Sequence, residues 1–172
     1  MRLFVAAWPS EEVLTSLARL PRPERPGVRW SGRDQWHVTL RFFGELTVDE
    51  GVVAGRGVAD AAAAAQPVVA DLGPRVGLLG RGVLQVPVAG LEPLAEAMAA
   101  ATGEVGKPPG PKPFRGHITL ARSRRKHGLD ELTGAEVRGR WTVGEVALVA
   151  SVASPRAGVS NRYEVVATFP LG

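Results

Sequence analysis

A chain of 172 residues, 45% hydrophobic and 22% charged, can build one globular domain or two small lobes that share a core. It has no cysteine, which excludes disulfides, thiolate zinc sites and cysteine nucleophiles and permits a reducing, cytoplasmic setting, the expected location. The net charge of +4, carried almost wholly by arginine, favours a polyanion such as RNA. It fits a compositional bias equally well, since alanine and glycine are also abundant.

The first apolar run, Arg2 to Trp8, stops at Pro9 and the acidic pair Glu11 and Glu12. It is too short for a secretory signal, and no stretch approaches the length of a membrane span. It reads as a buried first strand. Ser10 is then an N-cap, with Val13, Leu14, Leu17 and Leu20 as the apolar stripe of a short helix. Pro21, Pro23 and Pro26 end that helix, and Val28 to Trp30 reads as a short edge strand. Trp36 to Phe43 predicts a further strand, closed at Gly44. Thr47-Val48-Asp49-Glu50 is a capping box that opens a second helix through the alanine run, ending before Pro67.

Val68 to Leu72, Val76 to Leu79 and Val83 to Val88 predict a meander of short strands, with Gly80-Arg81-Gly82 as a turn. That turn lacks the lysine and following helix of a phosphate-cradling loop. A third helix is expected from Leu91 to Ala101, then a stiff Pro/Gly loop from Gly106 to Pro113, then a strand from Phe114 to Leu120. Val137 to Val143, Glu145 to Val152 and Arg162 to Phe169 predict three last strands, with an open loop from Ser154 to Asn161.

Two tetrapeptides stand out from this background: His37-Val38-Thr39-Leu40 and His117-Ile118-Thr119-Leu120. With eight threonines and seventeen leucines in the chain, a given histidine meets both by chance about 0.5% of the time. Two of three histidines doing so is a coincidence on the order of one in ten thousand. Each copy lies in a predicted strand, where side chains alternate between faces. His37 and Thr39 therefore point one way and Val38 and Leu40 the other, and the second copy repeats the arrangement. Self-similarity between the halves suggests two lobes from a duplicated unit, with the signature strands opposite each other.

Two imidazoles flanking a phosphoryl group supply one proton acceptor and one donor, which is what in-line displacement at phosphorus requires. Two threonine hydroxyls can donate to the non-bridging oxygens as charge builds there. A strained cyclic ester would need no metal. A catalytic zinc site takes three protein ligands, and no third histidine or cysteine cluster accompanies the pair. The third histidine lies in Arg124-Arg125-Lys126-His127-Gly128, outside either signature. That run reads as a solvated turn whose cations could reach an RNA backbone.

The sequence resembles the 2H phosphoesterases, and within them the RNA 2′,3′-cyclic phosphodiesterases often described as 2′-5′ RNA ligases. The resemblance rests on Arg2-Leu3-Phe4-Val5-Ala6, on Trp36 to Glu45, on Pro113 to Arg122, and on the closing segment Ser151 to Tyr163. Gly116 stands where that family commonly has proline. The resemblance implies an α+β fold in which residues 1–172 form a single bilobal domain. It would be a pseudo-symmetric duplication, with two antiparallel sheets flanked by helices around a central groove.

It also implies hydrolysis of an RNA 2′,3′-cyclic phosphate end, for example one derived from a tRNA, to a 2′-phosphate without metal or cofactor; a monomer is the default expectation. His37 and His117 are then the catalytic pair, with His37 the general acid and His117 the general base. Thr39, Thr119 and Arg122 would contact the phosphate. Strict alternation puts Arg122 on the face away from His117, so its role requires the strand to end or bulge first. Phe4, Phe42 and Trp30 are candidate base-stacking platforms, though each also suits the core. Other outcomes in view are 2′-5′ RNA ligation or cleavage, hydrolysis of a small cyclic nucleotide, and an RNA-end binding module without turnover.

Overall fold

The computed structural model describes residues 1–123, 129–154 and 161–172. The Arg124–Gly128 run with His127, and most of the loop expected between Ser154 and Asn161, lie outside the described residues. Strand β1 spans Arg2–Ala7, helix α1 Glu11–Ala18 and strand β2 Val28–Trp30. Strand β3 spans Val38–Glu45, helix α2 Val48–Ala64 and strand β4 Val68–Leu72. Strands β5 (Gly77–Leu79) and β6 (Val83–Ala89) precede helix α3 (Glu92–Ala101) and strand β7 (His117–Ser123). Strands β8 (Gly139–Val143), β9 (Glu145–Val152) and β10 (Arg162–Pro170) complete the order.

The caps sit where the sequence puts them. The Ser10 hydroxyl accepts from the Val13 amide at 3.4 Å, and Thr47 and Glu50 satisfy each other's orphan amides at the start of α2. Both signature strands start later than their composition suggests. Trp36 is 1% exposed yet precedes β3, because a 3-10 turn at Arg33–Gln35 delivers the chain to it. None of the described helices is long and apolar enough to cross a membrane.

All pairing is antiparallel, in the order β10-β9-β1-β3-β7-β6-β4-β8, with β2 added on β7 and β5 on β6. The junction between β3 and β7 is a single register pair, Val38 with Ile118. The strands therefore form two lobes, β10-β9-β1-β3 and β7-β6-β4-β8, hinged at the two signatures. The lobes are interleaved in sequence rather than consecutive. The hairpin after α2 belongs to the second lobe, the last two strands return to the first, and α1 packs on β8 across the molecule. Local patterning marks a strand but not the sheet it joins.

One continuous core runs under both lobes, including Leu3, Val5, Val38, Val86, Ile118 and Trp141. Along β1 the alternate residues Phe4 and Ala6 point the other way. They form a second, small cluster with Ala147 and Val149, against which Trp8, Phe42 and Tyr163 pack. This cluster floors the groove on the first lobe.

The two signature strands share a bulge at the same place. On β3, Thr39 faces Ala6 and Arg41 faces Val5, which leaves Leu40 as the extra residue. On β7, Thr119 faces Gln85 and Ala121 faces Leu84, which leaves Leu120 as the extra residue. Each strand thus buries two successive side chains, Leu40 with Arg41 and Leu120 with Ala121. The residue after each pair, Phe42 or Arg122, is returned to the groove face.

Candidate active site

His37 leaves the 3-10 turn directly before β3, and His117 opens β7. Each ring is held in the same way. His37 Nδ1 lies 2.7 Å from the Gln35 carbonyl, and His117 Nδ1 lies 2.8 Å from the Arg115 carbonyl. A carbonyl only accepts, so Nδ1 carries the proton in both, and Nε2 is the atom that gains or loses one. His37 Nε2 is 3.0 Å from the Thr39 hydroxyl, which donates to it while the ring is neutral.

His37 and His117 line one pocket of about 380 Å³ together with Thr39, Thr119 and Arg122. The bulge at Leu120 is what brings Arg122 there, meeting the condition that strict alternation left open. Arg29, its cross-strand neighbour on β2, lines the same pocket, as does Arg2 from β1. The remaining lining is polar or aromatic, and among the described residues no aspartate or glutamate contributes. Such a site selects an anion.

The two imidazoles differ in their surroundings. His37 packs against Phe4 at 4.9 Å and Trp8 at 5.4 Å, with Tyr163 edge-on at 5.3 Å. Burial among these rings pushes its pKa down from 6.5 to about 4. The hydrogen bond to Gln35 opposes that shift, and the charges of His117 and Arg122 add to it. His37 is therefore neutral at neutral pH.

Of the three aromatic candidates, Phe4 and Phe42 line the pocket and Trp30 does not. Trp30 lies on β2 against the main core, and its indole N–H donates to the Pro23 carbonyl at 3.1 Å. Trp30 thus packs on the main core and stands outside the pocket. Sequence reasoning assigned no role to Arg2, Arg29, Ser31, Gln35, Ser151, Asn161 or Tyr163, which also line the pocket. Arg2, Ser151, Asn161 and Tyr163 lie inside segments that carry the family resemblance. Arg29 and Ser31 had no local signal, because only the pairing of β2 with β7 brings them in.

No protein-family profile matches the chain, and no curated protein matches it in sequence. Solved structures match it along nearly its whole length. TT0787 of Thermus thermophilus is 29% identical, with a TM-score of 0.81 over 99% of this chain and 98% of that one. E. coli LigT, solved with 3′-AMP, is 23% identical, with a TM-score of 0.76 over 99% and 97%. A structure described as a phosphoesterase is 24% identical, with a TM-score of 0.77 over 99% and 97%. LigT and that phosphoesterase are 2H phosphoesterase superfamily members.

The chain has the 2H phosphoesterase fold. Within it, the duplicated tetrapeptide and the duplicated bulge act together. The first supplies an imidazole and a hydroxyl from each lobe. The second adds one residue per lobe to the same face, an aromatic ring from β3 and a cation from β7. Among the described residues no three His, Cys, Asp or Glu side chains gather as a metal-binding group.

Proposed function

We propose that this protein hydrolyses an RNA 2′,3′-cyclic phosphate end to a 2′-phosphate by metal-independent acid–base catalysis between His37 and His117. The observation that carries this reading is that two imidazoles eighty residues apart share one carboxylate-free pocket, each with its Nδ1 proton tied to a carbonyl. A phosphoesterase activity also suits the structural neighbours, which include a phosphoesterase and LigT. LigT was solved with 3′-AMP, a nucleotide with phosphate on the ribose edge that a 2′,3′-cyclic ester also uses.

In this mechanism His117 Nε2 takes a proton from water as its oxygen attacks phosphorus. The P–O3′ bond breaks, and His37 Nε2–H gives its proton to the departing 3′-oxygen. Thr39, Thr119 and Arg122 hold the non-bridging oxygens. The contact between Thr39 and His37 couples binding to protonation. Once His37 is charged, Nε2–H becomes the donor, and the Thr39 hydroxyl proton is released to turn onto a phosphoryl oxygen. The polarity has a physical rationale, since a buried imidazolium is a strong acid. The neutral resting state of His37 favours the reverse assignment, with His37 as base, and that second reading is tested in the Discussion.

The deciding assay uses an RNA ending in a 2′,3′-cyclic phosphate, with the product identified as the 2′- or 3′-phosphate and chelator present. A 2′-phosphate product at an undiminished rate is expected. Ligated 2′-5′ product, turnover only of a small cyclic nucleotide, or tight binding with no turnover would each replace this reading.

Either polarity works through the singly protonated pair, so the acid limb of kcat/KM reports protonation of the second imidazole. Because burial depresses His37, activity should persist down to about pH 4 and fall below it, as the pair takes its second proton. An acid limb near the ordinary histidine value of about 6.5 would show that the aromatic enclosure does not tune this ring. Thr39→Val or Thr119→Val should raise the barrier by about 1.5–3 kcal/mol, the range for a hydrogen bond to a charged group, read as a loss in kcat/KM.

A further inference from the structure

The groove continues past the reacting centre on the first lobe. Phe4 lies under His37, and Arg2, two residues farther along the same face of β1, lies ~7 Å beyond it. Across the β1–β9 ladder Arg2 is paired with Ser151, and the Asn161 side-chain amide donates to the Ser151 hydroxyl oxygen at 2.9 Å. With that oxygen accepting, the Ser151 hydroxyl proton is available to another acceptor. The Arg2 guanidinium stands 5.1 Å from the centre of the Phe42 ring.

Its register partner on β3 is Glu45, whose carboxylate lies 3.1 Å from the Met1 amino group. Among the described residues no carboxylate forms an ion pair with Arg2. The far end of the pocket thus presents a cation and a hydroxyl donor beside an aromatic ring, and no acidic side chain. The reacting phosphate does not account for this set. The proposed mechanism gives it Thr39, Thr119 and Arg122, with Arg29 beside Arg122, near the junction of the lobes.

We infer that Arg2 and Ser151, with Asn161 fixing the serine, form a second phosphate subsite that takes the phosphate 5′ to the terminal nucleoside. The inference rests on the proposed function and its polarity. If His37 protonates the 3′-oxygen, the ribose lies on the first lobe, and its 5′-carbon leads along the groove toward Arg2. The protein then reads the end of a polynucleotide rather than a free nucleoside cyclic phosphate.

The test compares adenosine 2′,3′-cyclic phosphate with the same compound carrying a 5′-phosphate. The wild-type protein should turn over the 5′-phosphorylated compound with a kcat/KM roughly tenfold higher, the scale of one charge-assisted hydrogen bond. Arg2→Gln should bring that ratio close to one, and Arg2→Lys should keep most of it, because the point charge remains. The wild-type ratio should also shrink as salt is raised. Equal rates for the two compounds in the wild-type protein, or a ratio that Arg2→Gln leaves intact, overturn the subsite while the proposed function stands. Absence of turnover for both compounds while an RNA cyclic-phosphate end is still hydrolysed also overturns the subsite, and absence of turnover for the RNA end as well overturns the proposed function, and the subsite with it.

Discussion

Replacing either histidine by alanine should lower turnover of a 2′,3′-cyclic phosphate end by about two to four orders of magnitude, the scale for loss of a general acid or base. The two variants differ in what restores them. A ribose 3′-oxygen is a poor leaving group and needs a proton as its bond to phosphorus breaks. A 3′-sulfur in its place leaves as thiolate, whose conjugate acid has a pKa of about 8.5, and needs no proton. If His37 is the acid, the sulfur-bridged substrate recovers much of the rate lost in His37→Ala and none of that lost in His117→Ala.

Rescue of His117→Ala instead would assign the base to His37, in keeping with its lowered pKa. A pH profile cannot make this distinction, because both assignments draw on the same singly protonated population. Full activity of either alanine variant with the oxygen substrate would end the paired-imidazole mechanism altogether. The leaving-group experiment also bears on where the nucleoside lies, since the acid stands beside the ribose. The lobe that holds Phe4, Phe42 and Arg2 is the nucleoside side only under the first outcome.

The candidate site was legible because it repeats. Two copies of one tetrapeptide are visible without knowing which strands pair, and alternation alone puts His37 with Thr39 and His117 with Thr119. Helix caps were equally legible, since Ser10 and the Thr47–Glu50 box act within four residues. What could not be read was set by strands far away in sequence. Strict alternation points Arg122 away from His117, and only the pairing of β7 with β6 shows that Leu120 is an inserted residue that reverses the parity. The same device on β3 carries Phe42 to the groove and Arg41 into the interior. Arg29 enters through the pairing of β2 with β7, and the aromatic enclosure of His37 needs β1 and β10 on one lobe. Trp30 was left between stacking and core because an aromatic residue near a signature looks the same whether it packs or binds.

Arg41→Met should destabilise the fold by about 2–4 kcal/mol, the cost of leaving several buried acceptors without donors. Arg41 is only 4% exposed and has no carboxylate partner, which is an unusual position for a permanent cation. Its hydrogen bonds go instead to oxygens around the end of α3. Nη1 donates to the Phe42 and Lys107 carbonyls at 2.7 and 2.8 Å. Nη2 donates to the Thr102 and Val105 carbonyls at 3.3 and 3.1 Å, and Nε to the Thr102 hydroxyl at 3.3 Å.

A helix C-terminus leaves carbonyls unpaired and carries partial negative charge, so one guanidinium meets both needs where it caps α3. Burial lowers the Arg41 pKa, but an arginine stays charged through such a shift. A methionine fills much the same volume and supplies no donor. A lysine keeps the charge but offers three donors at one point, too few and too localised for acceptors spread from residue 102 to residue 107. Arg41→Lys should therefore recover less than half of the loss.

The measurement is the urea midpoint at constant slope, and a shift equivalent to less than about 0.5 kcal/mol for Arg41→Met would show that these contacts contribute little. The consequence reaches the groove through β3. The clamp grips the strand at the bulge that turns Phe42 outward, and it ties the segment after α3 against the same stretch, where the Lys107 amide also donates to the Phe43 carbonyl at 2.7 Å. A substitution on the buried side of the bulge should thus loosen the groove side first, raising KM for the nucleotide at temperatures where the protein is still folded.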